Sequence, residues 1–221
     1  MTSVNGGASA TSSTANTAYA ERRHELRREK QRIARAVSEA IPDRASLFLA
    51  IGTTGEAIAA VLPLPAEMRD GAGVMGYKAP GKLELLRPVK NGMLCLADDP
   101  ADDRFHVACY ADTIDPFMER GRELRRQGVT GARVDTTRFA EIRSGKLKMP
   151  EKPAALYQIT APKNAYNVAT KTITGGTSSM VVYVPFATGE STGLSTKPST
   201  TSPWLMLPGT PKAHIMFTAT M

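Results

Sequence analysis

Two cysteines and three histidines carry the sharpest chemical options in this 221-residue sequence. Cys95 or Cys109 as nucleophile, with His106 or His214 as base, would make a Cys–His hydrolase. No family-type signature surrounds either cysteine. A Ser–His–Asp triad on a strained elbow would need Gly-x-Ser-x-Gly, which is absent. The P-loop, Gly-x-Gly-x-x-Gly, His-Glu-x-x-His and paired Cys-x-x-Cys are absent too. Two cysteines cannot build an all-Cys zinc site or a disulfide-stapled scaffold. His106 precedes Cys109 by three residues, which on a strand sets them on opposite faces and weakens a joint metal site. His24 reads as a solvent-facing residue in a basic segment. His214 enters the last strand candidate and could approach His106 in space, so these two form a candidate polar site. No metal and no cofactor is expected. The acidic run Asp98, Asp99, Asp102 and Asp103 lacks the spacing of a calcium loop and reads as a solvated turn. The ten methionines form no Met-x-x-Met cluster, and core filling is their default role.

Two Gly-rich turns could wrap an anion. Gly52-Thr53-Thr54 follows a short apolar run and precedes a helix candidate, so its backbone N–H groups and hydroxyls suit a phosphate. Isolated Gly-Thr-Thr turns are also common helix starts. Gly175-Gly176-Thr177-Ser178-Ser179 is explained equally well as a turn before a strand.

The elements that would position these residues change character along the chain. Residues 1–18 are low-complexity and read as a disordered tail. Residues 19–54 hold a helix over about 20–40, with Leu26, Ile33, Val37 and Ile41 on one stripe, and a short strand over 46–51. From 55 to 221 the pattern is a body of short strands and a few helices. Strands are predicted over 73–78, 82–87, 92–97, 105–110, 155–160, 179–186 and 213–218. Asn91-Gly92 is a hairpin turn signal, because both central positions want positive φ. One helix is predicted from about 113–115 to 127, with Pro116 in its first turn and Gly128 at its C-cap. A second runs from Asp135, as N-cap, to Ser144. Residues 188–203 read as a long loop. The fold class is therefore α+β, with short antiparallel strands, one small body and an N-terminal helical arm.

The hydrophobic fraction of 42% is that of a globular chain, and no 18-residue apolar stretch predicts a membrane span. The net charge is +7. Seven Arg or Lys residues crowd between Glu21 and Val37 against three Glu. Such a helix can follow phosphates or an anionic membrane, or can simply be a solvated face of Glu–Arg pairs. No secretory signal is visible in the first twenty residues.

Residues 4–62 resemble repressors of the deoxyribose-operon (DeoR) type. The carriers are Gly6-Gly7-Ala8, Glu29-Lys30-Gln31-Arg32-Ile33-Ala34, Ile41-Pro42 and Leu47 through Thr54. The resemblance implies the start of a sugar-phosphate-sensing domain, with Gly52, Thr53 and Thr54 in a phosphate-contacting loop. The winged helix of that family is missing, so nucleic-acid binding is not expected. The strand-turn-strand run after Pro65 does not supply the βα units that a doubly wound sensor domain needs.

From about Glu56 onward the chain resembles bacterial proteins that are usually exported and have no established activity. The carriers are Leu64 through Ala72, Lys90 through Asp98, Phe105 through Tyr110 and Pro211 through Met216. This resemblance implies an oxidising compartment, where Cys95 and Cys109 would be a disulfide. Each cysteine also sits mid-run in a strand candidate with only the acidic loop between, which is within disulfide reach. In a reducing cytosol the pair would instead be small buried hydrophobes. The sequence thus supports a soluble, non-catalytic protein with one disulfide and a possible small anionic ligand. A sugar-phosphate-responsive regulator fragment and a Cys–His hydrolase are the alternatives. Oligomeric state is not legible.

Overall fold

The computed structural model describes residues 58–79 and 82–220, all within one compact unit, Leu49–Met221. The predicted tail, the basic helix and the strand over 46–51 lie outside the described residues, as do Gly52, Thr53 and Thr54.

Runs of apolar and β-branched residues between turn formers become the strands of one eight-stranded sheet. β1 (Gly73–Ala79) and β2 (Lys82–Arg87) form an antiparallel hairpin. β3 (Met93–Leu96) lies on the other side of β1 and runs parallel to it, Val74 opposite Cys95. β4 (Arg104–Ala111) and β5 (Ala154–Pro162) continue the sheet antiparallel. β6 (Tyr166–Asn167) and β7 (Thr172–Ile173) make a separate small hairpin. β8 (Thr177–Tyr183), β9 (Trp204–Met206) and β10 (His214–Thr220) complete the sheet in the order β2-β1-β3-β4-β5-β8-β10-β9. The α+β class read from the sequence is the class observed; the strands, expected antiparallel, pair so throughout this sheet except for the parallel β1–β3 pair.

Three local expectations change. Asn91-Gly92 reverses the chain, and Gly92 takes φ 76°, but β2 and β3 do not pair. Arg87 and Leu94 sit opposite Val74 and Gly73, so the connection passes over the start of β1. A Cβ on Gly73 would lie 2.3 Å from Val89 Cγ2 and 3.0 Å from its backbone nitrogen, which is why glycine stands there. The turn signal is local, whereas the choice of partner strand is not. The second change concerns α2. α1 (Asp115–Arg126) forms as its Pro116 and Gly128 foretell, with Gly128 at φ 81°. α2 (Ala132–Arg143) begins earlier than predicted, with Gly131 rather than Asp135 at its N-cap. Asp135 lies inside the first turn because its carboxylate is taken by Lys212 and Arg138. The third is a helical turn, Gly189–Thr192, inside the stretch read as loop, closed by reciprocal Thr188–Ser191 bonds.

Both faces of the sheet are covered. On one, Tyr110, Leu156, Val181 and Tyr183 pack with Ile114 and Phe117 of the α1 region. On the other, Ala60, Val61, Leu64 and Ala72 lie on Val74, Cys95 and Cys109. Beside them Phe105, Val107, Ile159 and Ala161 pack under Ala59, with Tyr166 and Ile173 of the small hairpin against them. Strand alternation accounts for the division, because successive β4 residues feed opposite cores.

Candidate functional site

The cysteines form the first site to test. Cys95 and Cys109 are direct cross-strand partners of β3 and β4, joined by a disulfide with an S–S distance of 2.07 Å. Neither residue is exposed. Bonded to each other, they have no thiolate to offer a substrate. Cys109 Sγ lies 3.1 Å from the Ala60 carbonyl oxygen. A disulfide sulfur has no proton to donate, so this is a packing contact, and it seats the sulfur bridge directly under the segment entering the body.

The two candidate histidines are not brought together. His106 is exposed on β4; its ring nitrogen Nε2 lies 3.4 Å from Gln158 Oε1, and Gln158 Nε2 donates to Ser179 Oγ at 2.8 Å. The backbone N–H of His106 donates to Asp98 Oδ1 at 2.7 Å, and that of Ala101 to Asp99 Oδ1 at 2.9 Å. Those two carboxylates of the acidic run thus organise the turn. His214 is buried on β10, three strands away in the sheet. It also lies near the opposite end: His106 aligns through Thr160 and Thr177 with Thr220. Six residues of strand separate Thr220 from His214, roughly 20 Å.

His214 belongs instead to a buried polar cluster between the helices and the sheet. Its Nδ1 is 2.6 Å from the Lys212 carbonyl oxygen, and its ring lies 5.2 Å from that of Tyr183. Burial pushes the His214 pKa below the ordinary imidazole value, against the pull of its bond to Lys212. Burial also raises the Tyr183 phenol to about 12. Nearby, Arg138 is buried with its guanidinium carbon 3.8 Å above the centre of the Phe117 ring. It donates to the Phe117 carbonyl at 2.9 Å and pairs with Asp135, which Lys212 Nζ also reaches at 2.8 Å. Burial alone would raise the Asp135 pKa, but the bonds from Lys212 and Arg138 win and hold it below the usual carboxylate value. A second network joins Tyr110, Asp115 and Arg122 at 2.7 to 2.9 Å. Together the two networks tie α1 and α2 to the sheet.

The open site is on the other face. A cleft of about 470 Å³ is lined by Ile58, Val61, Leu62, Arg69, Asp70, Arg87 and Lys171. Arg69 follows a short 3-10 turn, Ala66–Met68, and its guanidinium donates to the Leu64 and Leu62 carbonyls at 2.8 and 3.0 Å. Arg87 ends β2 and donates to the Ala72 and Arg69 carbonyls at 2.7 and 2.6 Å. Lys171 sits in the β6–β7 turn at φ 56°. In those four bonds the guanidinium charges meet carbonyl dipoles and no carboxylate. Among the described residues, three cationic side chains line the cleft with one carboxylate, Asp70, beside an apolar wall. Such a lining attracts a small anion and shelters its carbon skeleton. Sequence reasoning missed this site because its cations come from a turn, a strand end and a distant hairpin, with no motif between them.

Similarity to known proteins is confined to a part of the chain. It is 49% identical over 57 residues to the glycerol-3-phosphate regulon repressor of Escherichia coli (strain K12), covering 26% of this chain and 23% of that protein. It is 44% identical over 62 residues to the HTH-type transcriptional repressor CsqR of the same organism, 28% of this chain and 24% of that protein. The glycerol-3-phosphate regulon repressor of Haemophilus influenzae is 46% identical over 57 residues. A quarter of the chain is thus similar to DeoR-type repressors, and the chain spans about a quarter of the length of these curated relatives. No family model and no solved structure matches. No helix among the described residues is long and apolar enough to cross a membrane.

Proposed function

We propose that the body is a non-catalytic module that binds a small anionic ligand in the cleft over the sheet face carrying the disulfide. The observation that carries this is the convergence of Arg69, Arg87 and Lys171 on one cleft, with Asp70 as the carboxylate among its described lining residues. The volume suits a ligand of sugar-phosphate size, with a hydroxyl accepted by Asp70 and carbons against Val61 and Leu62. The buried disulfide fits work in an oxidising compartment.

A second reading is favoured by the repressor similarity. In it, the chain carries a fragment of a sugar-phosphate-responsive DeoR-type regulator, with Gly52, Thr53 and Thr54 contacting the phosphate. One relative's name includes glycerol 3-phosphate, which makes that compound a sensible first probe.

Thermal melts with inorganic phosphate, glycerol 3-phosphate, a pentose phosphate and the unphosphorylated sugars test both readings. A ligand at a hundred times its Kd stabilises the fold by about 2.7 kcal/mol. The cleft reading expects a rise in Tm with the phosphorylated compounds, diminished in Lys171→Gln and Asp70→Asn. The second reading expects the rise to vanish in Thr53→Ala/Thr54→Ala and to survive Lys171→Gln. No rise with any probe at millimolar concentration overturns both.

A further inference from the structure

The layer formed by α1, α2 and the segment after them holds a separate concentration of charge, on the side turned away from the sheet. Between residues 115 and 152, seven Lys or Arg residues are exposed against two exposed Glu. The inner cations of the layer are matched: Arg120 by Glu141 and Glu123, Arg122 by Asp115, Arg138 by Asp135. Among the described residues the outer ones have no such compensation, save for Lys146 at 3.9 Å from Glu141.

Their placement is ordered. Val134 and Arg138 are buried and define the inward side of α2. Arg133, Thr136, Ala140 and Arg143 are all exposed and recur at steps of three, four and three residues, a single outward stripe. Helical rise puts Arg133 and Arg143 about 15 Å apart. Between them stand only a threonine and an alanine, small enough to let another backbone come close. Arg125 and Arg126 are exposed in the last turn of α1, a few residues before α2 begins. Lys146 and Lys148 are exposed just after α2 ends.

We propose that this outer face docks the sugar-phosphate backbone of a double-stranded nucleic acid, without reading its bases. Guanidinium groups bond phosphate oxygens through paired N–H donors, and the two ends of the stripe can meet phosphates on either side of a groove roughly 12 Å wide. The exposed large apolar side chains among the described residues, Leu85, Val168, Phe186, Met206, Leu207 and Phe217, all lie outside this layer. The face therefore has no wedge for a lipid bilayer, whose peripheral helices combine charge with buried apolar area. It also presents no exposed aromatic platform, which single strands require. The proposal stands independently of the anion cleft, which lies on the opposite side of the sheet.

The test is fluorescence anisotropy of a short, labelled DNA duplex of mixed sequence with the full chain, at several salt concentrations. The expected result is binding that is indifferent to sequence, with log Kd rising against log salt by about 0.9 for each phosphate neutralised. Arg133→Glu/Arg143→Glu should weaken binding by at least about tenfold and flatten the salt slope. Arg133→Lys/Arg143→Lys should retain most of the binding. Ala140→Glu, an exposed and helix-compatible change, should weaken it without altering the melt. The basic segment before residue 40 is untouched in all of these variants. Binding unchanged in the charge reversals and in Ala140→Glu would assign the duplex to that segment and overturn the proposal. No duplex binding at low salt, or binding to phosphatidylserine vesicles but not to duplex, would overturn it as well.

Discussion

Arg138 shows how one side chain can hold a layer in place. It is 3% exposed, stacks on Phe117, bonds the Phe117 carbonyl and pairs with Asp135. Arg138→Met keeps the length but leaves that carbonyl and half of the Asp135 pairing unmet. We expect it to cost about 2–4 kcal/mol, read from the denaturant midpoint. An unchanged midpoint would mean that the cluster is ornamental. Gly121 belongs to the same contact, since a Cβ there would lie 2.9 Å from Arg138 Nη1. His214 makes the cluster sensitive to acid. Its folded pKa lies below the unfolded value, so the neutral ring is favoured in the fold. Stability is fully present above the unfolded pKa of about 6.5 and falls as pH drops below it, because the unfolded chain then binds the proton first. Wild-type Tm should therefore decline as pH drops below about 6.5. His214→Gln should flatten that part of the profile; an equal decline in both would exclude His214 as the cause. Asp135, whose pKa is lowered, adds a loss only at more acidic pH.

Two elements depend on long-range closure. The disulfide clips β3 to β4 across a separation of 14 residues. The chain-entropy estimate gives it about 3 kcal/mol. Reduction under partly denaturing conditions should lower Tm by several degrees, and Cys95→Ala/Cys109→Ala should match the reduced protein. A melt indifferent to reductant and to the double substitution would show the bridge to be energetically idle. The β2–β3 connection is the other case. Gly73→Ala drives a Cβ into Val89, whose backbone is held in place by the Lys90 and Asn91 N–H bonds to the Gly71 carbonyl. We expect at least about 2 kcal/mol of destabilisation, larger than for an exposed Gly145→Ala, where positive φ is the sole penalty.

At the scale of the molecule, the sheet separates two charged surfaces. One face carries the cleft with Arg69, Arg87 and Lys171, small enough for a metabolite. The other carries helices whose outer cations are spread over a length suited to a polymer. Ligand melts and duplex titrations therefore report on different sides. Phosphate up to millimolar concentration should raise Tm through the cleft; against the duplex it should act as a general electrolyte, without a saturating competition.

The α+β class, most of the strands, and α1 with its Pro116 and Gly128 were legible from residue order alone. Each rests on short-range rules: alternation, turn formers and caps; for Cys95 and Cys109 the strand placement allowed either a disulfide or two buried thiols. Three things were decided only in space. β3 pairs with β1 rather than β2, because sheet order is set by non-local packing. Asp135 lies within α2 rather than at its cap, because Lys212, seventy-seven residues on, claims its carboxylate. The cationic cleft exists because a turn, a strand end and a hairpin meet over one face of the sheet. Charges so far apart in sequence become neighbours only when the backbone's hydrogen-bond ladder brings their elements together.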